Sequence, residues 1–160
     1  MSLEIRAATA ADVPLILSFV RELAEYEKLG HLVTATEAGL GDALFGAQPG
    51  AEVLLAFTGG EAVGFAVYFH NFSTFLGARG LWLEDLFVRP AHRGRGYGKA
   101  LLLHVGRIAV ERGCGRFEWA VLDWNAPSIA FYKSLGAVPL DDWTVMRVTG
   151  PALDALARMA

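Results

Sequence analysis

The sequence has little that could form a disulfide or a membrane-spanning helix. It holds one cysteine, Cys114, in 160 residues, so an internal disulfide is excluded and a reducing compartment is favoured. No apolar run approaches the length of a membrane-spanning helix, and the first residues show no apolar stretch behind basic ones. We therefore expect a cytoplasmic protein with no membrane partner.

Positive charge and metal-ligand patterns are equally scarce. Fourteen lysines and arginines stand against 17 acidic residues, for a formal net charge of −3, which argues against a nucleic-acid partner. The four histidines show no metal-ligand spacing with one another, and no Gly-x-Ser-x-Gly segment occurs. The sequence thus predicts no metal site and no serine-hydrolase chemistry, and Cys114 is interpreted as an inert thiol.

What the chain has in excess is apolar residues, at 54%. A length of 160 residues predicts a single domain over 1–160, large enough for a substantial core. Because the apolar fraction is high for a soluble chain, we expect some apolar surface to be buried between two copies in a homodimer.

Hydrophobic periodicity predicts an α/β protein with both hairpin and crossover connections. The predicted strands cover 3–7, 53–57, 62–69, 81–88, 116–122 and 143–148, and the predicted helices cover 9–29, 34–46, 98–112, 127–135 and 151–159.

The most informative segment follows the strand that ends at Val88. It reads Arg93-Gly94-Arg95-Gly96-Tyr97-Gly98-Lys99 and leads directly into an amphipathic helix. Alternate glycines let the backbone turn sharply, so that successive N–H groups point at one ligand group from the start of a helix. This order predicts a site for a pyrophosphate, and we expect the arginines at 89, 93 and 95 to face its phosphates.

Rival phosphate motifs fail on these residues. A dinucleotide fingerprint needs a glycine where Lys99 stands, and a Walker loop needs a glycine at Arg93 and a hydroxyl residue at Ala100. The pattern Arg/Gln-x-x-Gly-x-Gly/Ala is met by Arg93, Gly96 and Gly98, and it resembles the acetyl-coenzyme A motif of the GNAT N-acetyltransferases. The alternative for the isolated motif is a flexible surface turn that caps a helix.

Flanking segments extend this resemblance over nearly the whole chain. The segments Leu83-Glu84-Asp85, Asp123-Trp124-Asn125 and Phe131-Tyr132-Lys133 together resemble the diamine acetyltransferase branch, which acts on polyamines and thialysine. The resemblance implies a GNAT fold: a mixed, mostly antiparallel central sheet flanked by helices, with a splayed strand pair at the cofactor site. It also implies acetyl-CoA as acetyl donor, held by Leu86, Phe87, Val88, Arg93, Gly94, Arg95, Gly96, Tyr97, Gly98, Lys99, Asn125, Ala126, Pro127 and Ser128. As a pure helix cap, Asn125 would need no other role.

Acetyl transfer to an amine needs a base, because an alkylamine titrates near 10.4 and is charged at neutral pH. Glu84 is the candidate base, since it lies in an otherwise apolar strand where an unused charge is costly. Successive strand side chains point to opposite faces, so Glu84 and Asp85 are expected to serve different sites. Tyr132 is the candidate acid for the departing thiolate, as the resemblance also implies. The alternatives are a sheet-edge salt bridge for Glu84 and a core aromatic for Tyr132.

The resemblance further implies where the amine binds. Tyr26 and Glu27, at the end of the first helix, match the substrate-binding pair of the branch, although acidic residues there could also form a solvated helix end. The remaining predicted substrate residues are Glu84, Asp85, Glu118, Trp119 and Ala120. The chain carries Ser73-Thr74-Phe75 where polyamine enzymes have Asp-Pro-Trp, so it is nearer to the thialysine-acetylating members.

These residues predict an acetyl-CoA-dependent N-acetyltransferase acting on a small diamine or a lysine-like amine. Two alternatives stay open at this point. One is an acetyltransferase acting on protein or peptide amines, and the other is a non-catalytic acyl-CoA sensor, which would tolerate the loss of Glu84 or Tyr132.

Overall fold

The computed structural model describes all residues from 1 to 160. The chain forms two compact units, Met1–Ala120 and Val121–Ala160, which are described separately. A single domain over 1–160 stays a prediction.

The first unit holds five strands and three helices. The strands are β1 Leu3–Ala7, β2 Glu52–Thr58, β3 Glu61–Ser73, β4 Ala78–Val88 and β5 Phe117–Trp119, and the helices are α1 Val13–Tyr26, α2 Glu37–Phe45 and α3 Tyr97–Glu111. Helix α1 begins later than predicted because a 3₁₀ turn, Ala10–Asp12, precedes it. Asp12 ends that turn by accepting the Thr9 backbone N–H (2.7 Å) and two bonds from Arg6 (2.8 and 2.9 Å).

The strands form one sheet in the order β1-β2-β3-β4-β5. The first four pair antiparallel, while β4 and β5 pair parallel over only three residues each, Leu81–Leu83 and Phe117–Trp119. Beyond Leu83 the edge of β4 has no paired strand, so the two strands separate there. The predicted α/β class, the mostly antiparallel sheet and the splayed pair are confirmed.

The core covers both faces of the sheet. On one face, which we call the α1 face, Phe19 of α1 stacks on Phe65 of β3 (ring centroids 5.1 Å apart) and meets Phe87 edge-on (6.4 Å). On the opposite face, the α3 face, α3 packs against β3 and β4 with Leu101 and Val105 fully buried. Burial of such side chains contributes about 1.5–3 kcal/mol each.

The second unit holds two helices, α4 Ala126–Ser134 and α5 Gly150–Arg158. The strand predicted over 143–148 is wrong: this segment pairs with no strand, and its side chains are exposed. The apolar alternation that suggested a strand does not by itself provide hydrogen-bond partners for the backbone, which a strand requires.

None of the helices combines the length and the apolar character needed to cross a membrane.

Candidate active site

A β-bulge lies in β4 where it crosses the middle of the sheet. Leu83 stands opposite Tyr68 of β3, but Asp85 stands opposite Val67, so Glu84 is an extra residue without a cross-strand partner. Residues opposite one another share a face, and the neighbours Val67 and Tyr68 point to opposite faces. Leu83 and Asp85 therefore point to opposite faces too, although they are only two positions apart.

The bulge corrects the expectation that Glu84 and Asp85 serve different sites. Asp85 shares the α1 face with its partner Val67, which belongs to the core beneath α1. Glu84 Oε2 accepts a hydrogen bond of 3.0 Å from the indole N–H of Trp82, which pairs with Phe69 and so lies on the same face. Strict alternation failed because the extra residue resets the period, and both carboxylates share the α1 face.

A third carboxylate joins these two at the end of α1. Burial, together with the negative charges of Glu84 and Glu27, raises the pKa of Asp85 to about 7. Burial and the charge of Glu84 raise the pKa of Glu27, which directly follows α1. We call Glu27, Glu84 and Asp85 the acidic cluster. Carboxylates that disfavour one another's ionisation are relieved by a cation placed among them, and an ammonium group is such a cation.

Tyr26 stands beside this cluster in sequence as the last residue of α1 and is 39% exposed. Its ring lies under the guanidinium of Arg93, with Cζ 4.5 Å from the ring centroid. The same guanidinium lies 5.4 Å from the ring centroid of Phe87 on β4. An arginine of the glycine segment thus contacts the residue predicted to bind the amine.

Strand β5 separates two of the predicted substrate residues. Glu118 stands opposite Trp82 and shares the α1 face, where its Oε1 contacts Arg116 Nε (3.0 Å) and Asn71 Nδ2 (3.4 Å). It therefore flanks the indole that holds Glu84.

Trp119 follows Glu118 and points to the opposite face, with Leu83 as its partner and the Phe117 ring 5.0 Å away. Phe117 in turn packs against Gly106 of α3. The structure thus places the Trp119 side chain on the α3 face, away from the acidic cluster. Ala120 is exposed and lies one residue beyond β5.

The glycine segment has the backbone form that an anion site needs. Gly94 and Gly96 have φ of 76° and 81°, and no atom lies within 4 Å of the place where either would carry a Cβ. Gly96 is the N-cap of α3, no side chain caps this end, and the first helical bond runs from Ala100 N–H to the Gly96 carbonyl (2.9 Å). The N–H groups before Ala100 thus have no carbonyl four residues back in the helix. Within the segment, Arg93, Gly94, Arg95, Gly96 and Lys99 are exposed, and Tyr97 and Gly98 are half-buried.

Two of the three arginines expected to face phosphates have other contacts. Arg93 lies over the Tyr26 ring, and the second is Arg89. Arg89 binds Glu22 of α1 through two bonds (Nε 3.0 Å and Nη2 2.9 Å) and lies 4.6 Å above the Phe19 ring. Its Nη1 also donates to the Ala62 carbonyl at 2.8 Å. Arg89 therefore fastens the end of β4 to α1 and β3, and the structure assigns its guanidinium to that task.

The backbone of β4 beside the glycine segment borders the opening between β4 and β5. Phe65 pairs with Phe87 on the β3 side, while the opposite edge from Glu84 to Val88 is unpaired by any strand. The side chains of Leu86 and Val88 are half-buried, and that of Phe87 is buried in the core. Phe87 can therefore meet a ligand only through its backbone, as predicted for residues 86–88. The glycine turn with its open donors and this free strand edge together fit a long ligand with a pyrophosphate.

The remaining predicted residues lie in the second unit. Asn125 is buried and caps α4 by accepting the Ser128 N–H at 3.4 Å, which confirms its role as a cap. Ala126 and Pro127 form the exposed first turn of α4. Tyr132 is half-buried in α4, with its ring 5.4 Å from that of Phe131.

Sequence reasoning missed three contributors to this site: the bulge at Glu84, the Trp82 bond to that carboxylate, and the pair between Glu22 and Arg89. Trp82 could have been found, because it lies two residues before Glu84 on the same strand. The partners Glu22 and Arg89 are 67 residues apart, and no local pattern joins them. No group of three or more His, Cys, Asp or Glu side chains is arranged to hold a metal ion.

Several known proteins are similar to this chain in sequence and in structure. Residues 19–137 match the model of the acetyltransferase (GNAT) family. A thialysine N-epsilon-acetyltransferase from Sus scrofa is 38% identical over 167 residues, covering 98% of each chain. An L-ornithine N5-acetyltransferase from Arabidopsis thaliana is 32% identical over 200 residues, covering 97% of this chain and 88% of the relative. Among solved structures, an integron cassette protein from the mobile metagenome of V. cholerae superposes with a TM-score of 0.82 at 30% identity, covering 99% of both chains.

Proposed function

The chain belongs to the GNAT acetyltransferase family, and from this membership we propose that it moves an acetyl group from acetyl-CoA to a primary amine of a small diamine or lysine-like molecule. Membership makes it an acyltransferase enzyme, and the donor and the amine are the proposal. A cytoplasmic location is part of the proposal, in keeping with the single cysteine.

The observation that carries the choice of amine is the acidic cluster. Burial and the neighbouring carboxylates raise the pKa of Glu27 and of Asp85, so a bound ammonium group beside them would favour their charged forms. Relatives named for thialysine and ornithine act on molecules with an amine on a flexible chain, which suits such a cluster. Ser73 stands at the end of β3, where polyamine enzymes carry the aspartate of Asp-Pro-Trp. The carboxylate expected there is therefore missing, which favours a lysine-like amine over spermidine.

Acetyl-CoA, when bound, supplies the acetyl group and a thiol leaving group. In the proposal, Asn125–Ser128 are assigned to acetyl-CoA by resemblance alone. The N–H groups of Gly94–Lys99 and the backbone of Leu86–Val88 hold it from β4 and α3. The open donors at the unsatisfied start of α3 support this assignment, since helix N-termini favour anions. Backbone N–H groups on the free edge of β4 are suited to polarise a carbonyl.

Two side chains are assigned the proton transfers. Glu84, held by Trp82, takes a proton from the ammonium group so that the nitrogen lone pair becomes available. Tyr132 holds the phenolic proton that the leaving sulfur requires. Asp85, Glu27, Glu118 and Tyr26 surround the amine in this proposal. Trp119 and Ala120 are assigned to the substrate by resemblance alone, because the Trp119 side chain lies on the α3 face and Ala120 lies beyond β5.

The test of the proposed function is an acetyl-CoA turnover screen over diamines, amino acids and peptides. We expect the highest kcat/KM with thialysine or ornithine and a lower value with spermidine. Higher kcat/KM with peptides would instead favour a protein N-acetyltransferase. Binding of acetyl-CoA without turnover of any amine would favour an acyl-CoA sensor.

The roles of Glu84 and Tyr132 are tested by a pH series of kcat/KM with thialysine. Tyr132→Phe should keep acetyl-CoA affinity and lower turnover by about 10²- to 10⁴-fold where proton transfer limits the rate. Glu84→Gln should lose less activity at high pH, where more amine arrives deprotonated. A Tyr132→Phe variant as active as the parent would reduce that residue to packing, and a Glu84→Gln profile parallel to the parent would remove Glu84 as the base.

A further inference from the structure

Arg89 and Arg93 both contact one side of helix α1. Arg93 is the first residue of the glycine segment, and Arg89 precedes it by four residues. Phe19, Glu22 and Tyr26 are spaced three and four residues apart, so they lie along one side of the helix. Arg89 contacts the first two of them, and Arg93 lies over the third. The segment that leaves β4 is thereby fastened to α1 at two points one helical turn apart.

The two arginines differ in how firmly they are held. Arg89 is committed by its two bonds to Glu22 and a third to the Ala62 carbonyl. Arg93 is exposed and is held by one bond, from Nε to the Val88 carbonyl (2.9 Å), and by its two ring contacts. Arg93 is therefore the adjustable contact, and it directly precedes Gly94.

We propose that Arg93 is a positioning residue that couples the glycine segment to the amine site, by setting the ring of Tyr26 when the segment takes up acetyl-CoA. This inference rests on the proposed function. It gives Arg93 a task besides its predicted place among the cofactor residues, because the guanidinium contacts an aromatic ring at the amine end of α1. Tyr26 directly precedes Glu27 of the acidic cluster, so its orientation affects the amine site.

Coupling of this kind is reciprocal in binding. When acetyl-CoA orders the glycine segment, Arg93 holds Tyr26 in the orientation that the amine meets. An amine that orders Tyr26 favours in return the segment that binds acetyl-CoA. An exposed cation–π contact changes an equilibrium by about two- to five-fold, which is the size of coupling expected here.

The experiment labels the four tyrosines with 3-fluorotyrosine and follows their fluorine signals while acetyl-CoA is added. Tyr26→Leu assigns the Tyr26 signal by its disappearance. In the parent protein we expect acetyl-CoA to shift this signal, and in Arg93→Gln the shift should be lost. Arg93→Lys keeps the charge without the planar group, so it should retain part of the shift, and it replaces the glutamine variant if that variant does not fold.

Kinetics with the best amine provide the second readout. Arg93→Gln should raise the amine KM by about two- to five-fold with a smaller change in kcat. Combined with Tyr26→Leu, its effect on kcat/KM should shrink by the same factor, because the two residues act through one contact. The control is Arg107→Gln on the outer side of α3, which removes an exposed arginine paired with Glu111 (3.6 Å) and should change neither readout.

The outcomes separate this inference from the proposed function. A parent protein that does not bind acetyl-CoA would overturn both. A Tyr26 shift of equal size in Arg93→Gln, or additive effects of Arg93→Gln and Tyr26→Leu, would overturn the coupling while acetyl transfer itself stands.

Discussion

Asp85 gives the candidate site its own dependence on pH. Its pKa of about 7 lies above the ordinary value of 3.8, chiefly because of burial and then because of Glu84 and Glu27. As the pH rises from about 4 to 7, the unfolded chain loses this proton while the folded chain keeps it. The folded state therefore binds more protons between pH 4 and 7, and ionisation of Asp85 lowers the free energy of unfolding progressively over that range. Above pH 7 this loss of stability no longer changes with pH.

The variant Asp85→Asn should therefore be more stable than the parent at pH 8, by about 3–4 kcal/mol, and should show no gain at pH 4. Urea unfolding at the two pH values measures the difference. Asp141→Asn serves as the control, because it makes the same substitution at an exposed residue of the second unit. An equal gain for Asp85→Asn at both pH values would show that the carboxylate is not destabilised by its surroundings.

Gly96 is the residue on which the proposed acetyl-CoA site depends most directly. Its φ of 81° disfavours any side chain, and a side chain there would occupy the open space in front of the helix start. Gly96→Val should abolish acetyl-CoA binding in calorimetry and cost about 1–2 kcal/mol of stability. The matched control is Gly113→Val at the other end of α3, where φ is 69° and the space is also open, so that stability falls equally while binding is kept. Unchanged affinity in Gly96→Val would refute the site.

At the scale of elements, β3 and β4 approach one another closely at a glycine, Gly64. Gly64 stands opposite Val88, and a Cβ on it would lie 2.6 Å from the Phe87 carbonyl oxygen, a backbone atom that cannot move aside alone. The strand therefore needs glycine at this position in order to bring the Leu86–Val88 backbone close.

We expect Gly64→Ala to lower the free energy of unfolding by about 1–3 kcal/mol, as overpacking does. Gly41→Ala in α2 is the matched control: its Cβ would meet Val13 Cγ2 at 3.9 Å, and alanine should raise stability by about 0.5–1 kcal/mol. Denaturant unfolding measures both variants. An unchanged free energy of unfolding in Gly64→Ala would mean that β3 and β4 can move apart enough to accept a methyl group.

Local patterns could predict the elements with strong local signals. The turn at Gly94–Gly98, the start of α3 and the Asn125 cap follow from residue types that only a few backbone forms accommodate. The bulge at Glu84 could not be predicted, because it depends on the register with β3, which is set by contacts far away in sequence. Strand 143–148 was predicted wrongly for the converse reason, since alternation of apolar residues says nothing about a partner strand.

At the scale of the whole molecule, the family follows from the combination of several weak segments. The glycine motif alone is also compatible with a surface turn. The chain-wide similarity to a thialysine acetyltransferase supports the family, while the role of the turn stays a prediction. The acidic cluster needed the structure, because Glu27 and Asp85 are far apart in sequence and β4 turns its two carboxylates to one face only through the bulge. The choice of amine therefore depends on tertiary geometry that the motif does not contain.

The second unit carries apolar side chains that are costly to leave in water. Trp143, Val145 and Met146 are 78%, 82% and 86% exposed in the single chain, and they lie within four consecutive residues. Together with the 54% apolar composition, this supports the expected homodimer, and we propose that the two copies associate through this segment.

Light scattering at micromolar concentration should therefore return twice the 17.2 kDa mass of one chain. Replacing Trp143 and Val145 together by glutamate should reduce the mass to that of one chain, because two charges cannot be buried unpaired in an apolar contact. Val110→Glu on α3 removes an equally exposed apolar side chain, 79% exposed, and should leave the mass doubled. A single-chain mass for the parent protein would reject the dimer. A doubled mass for the Trp143 and Val145 variant would instead move the interface to another surface.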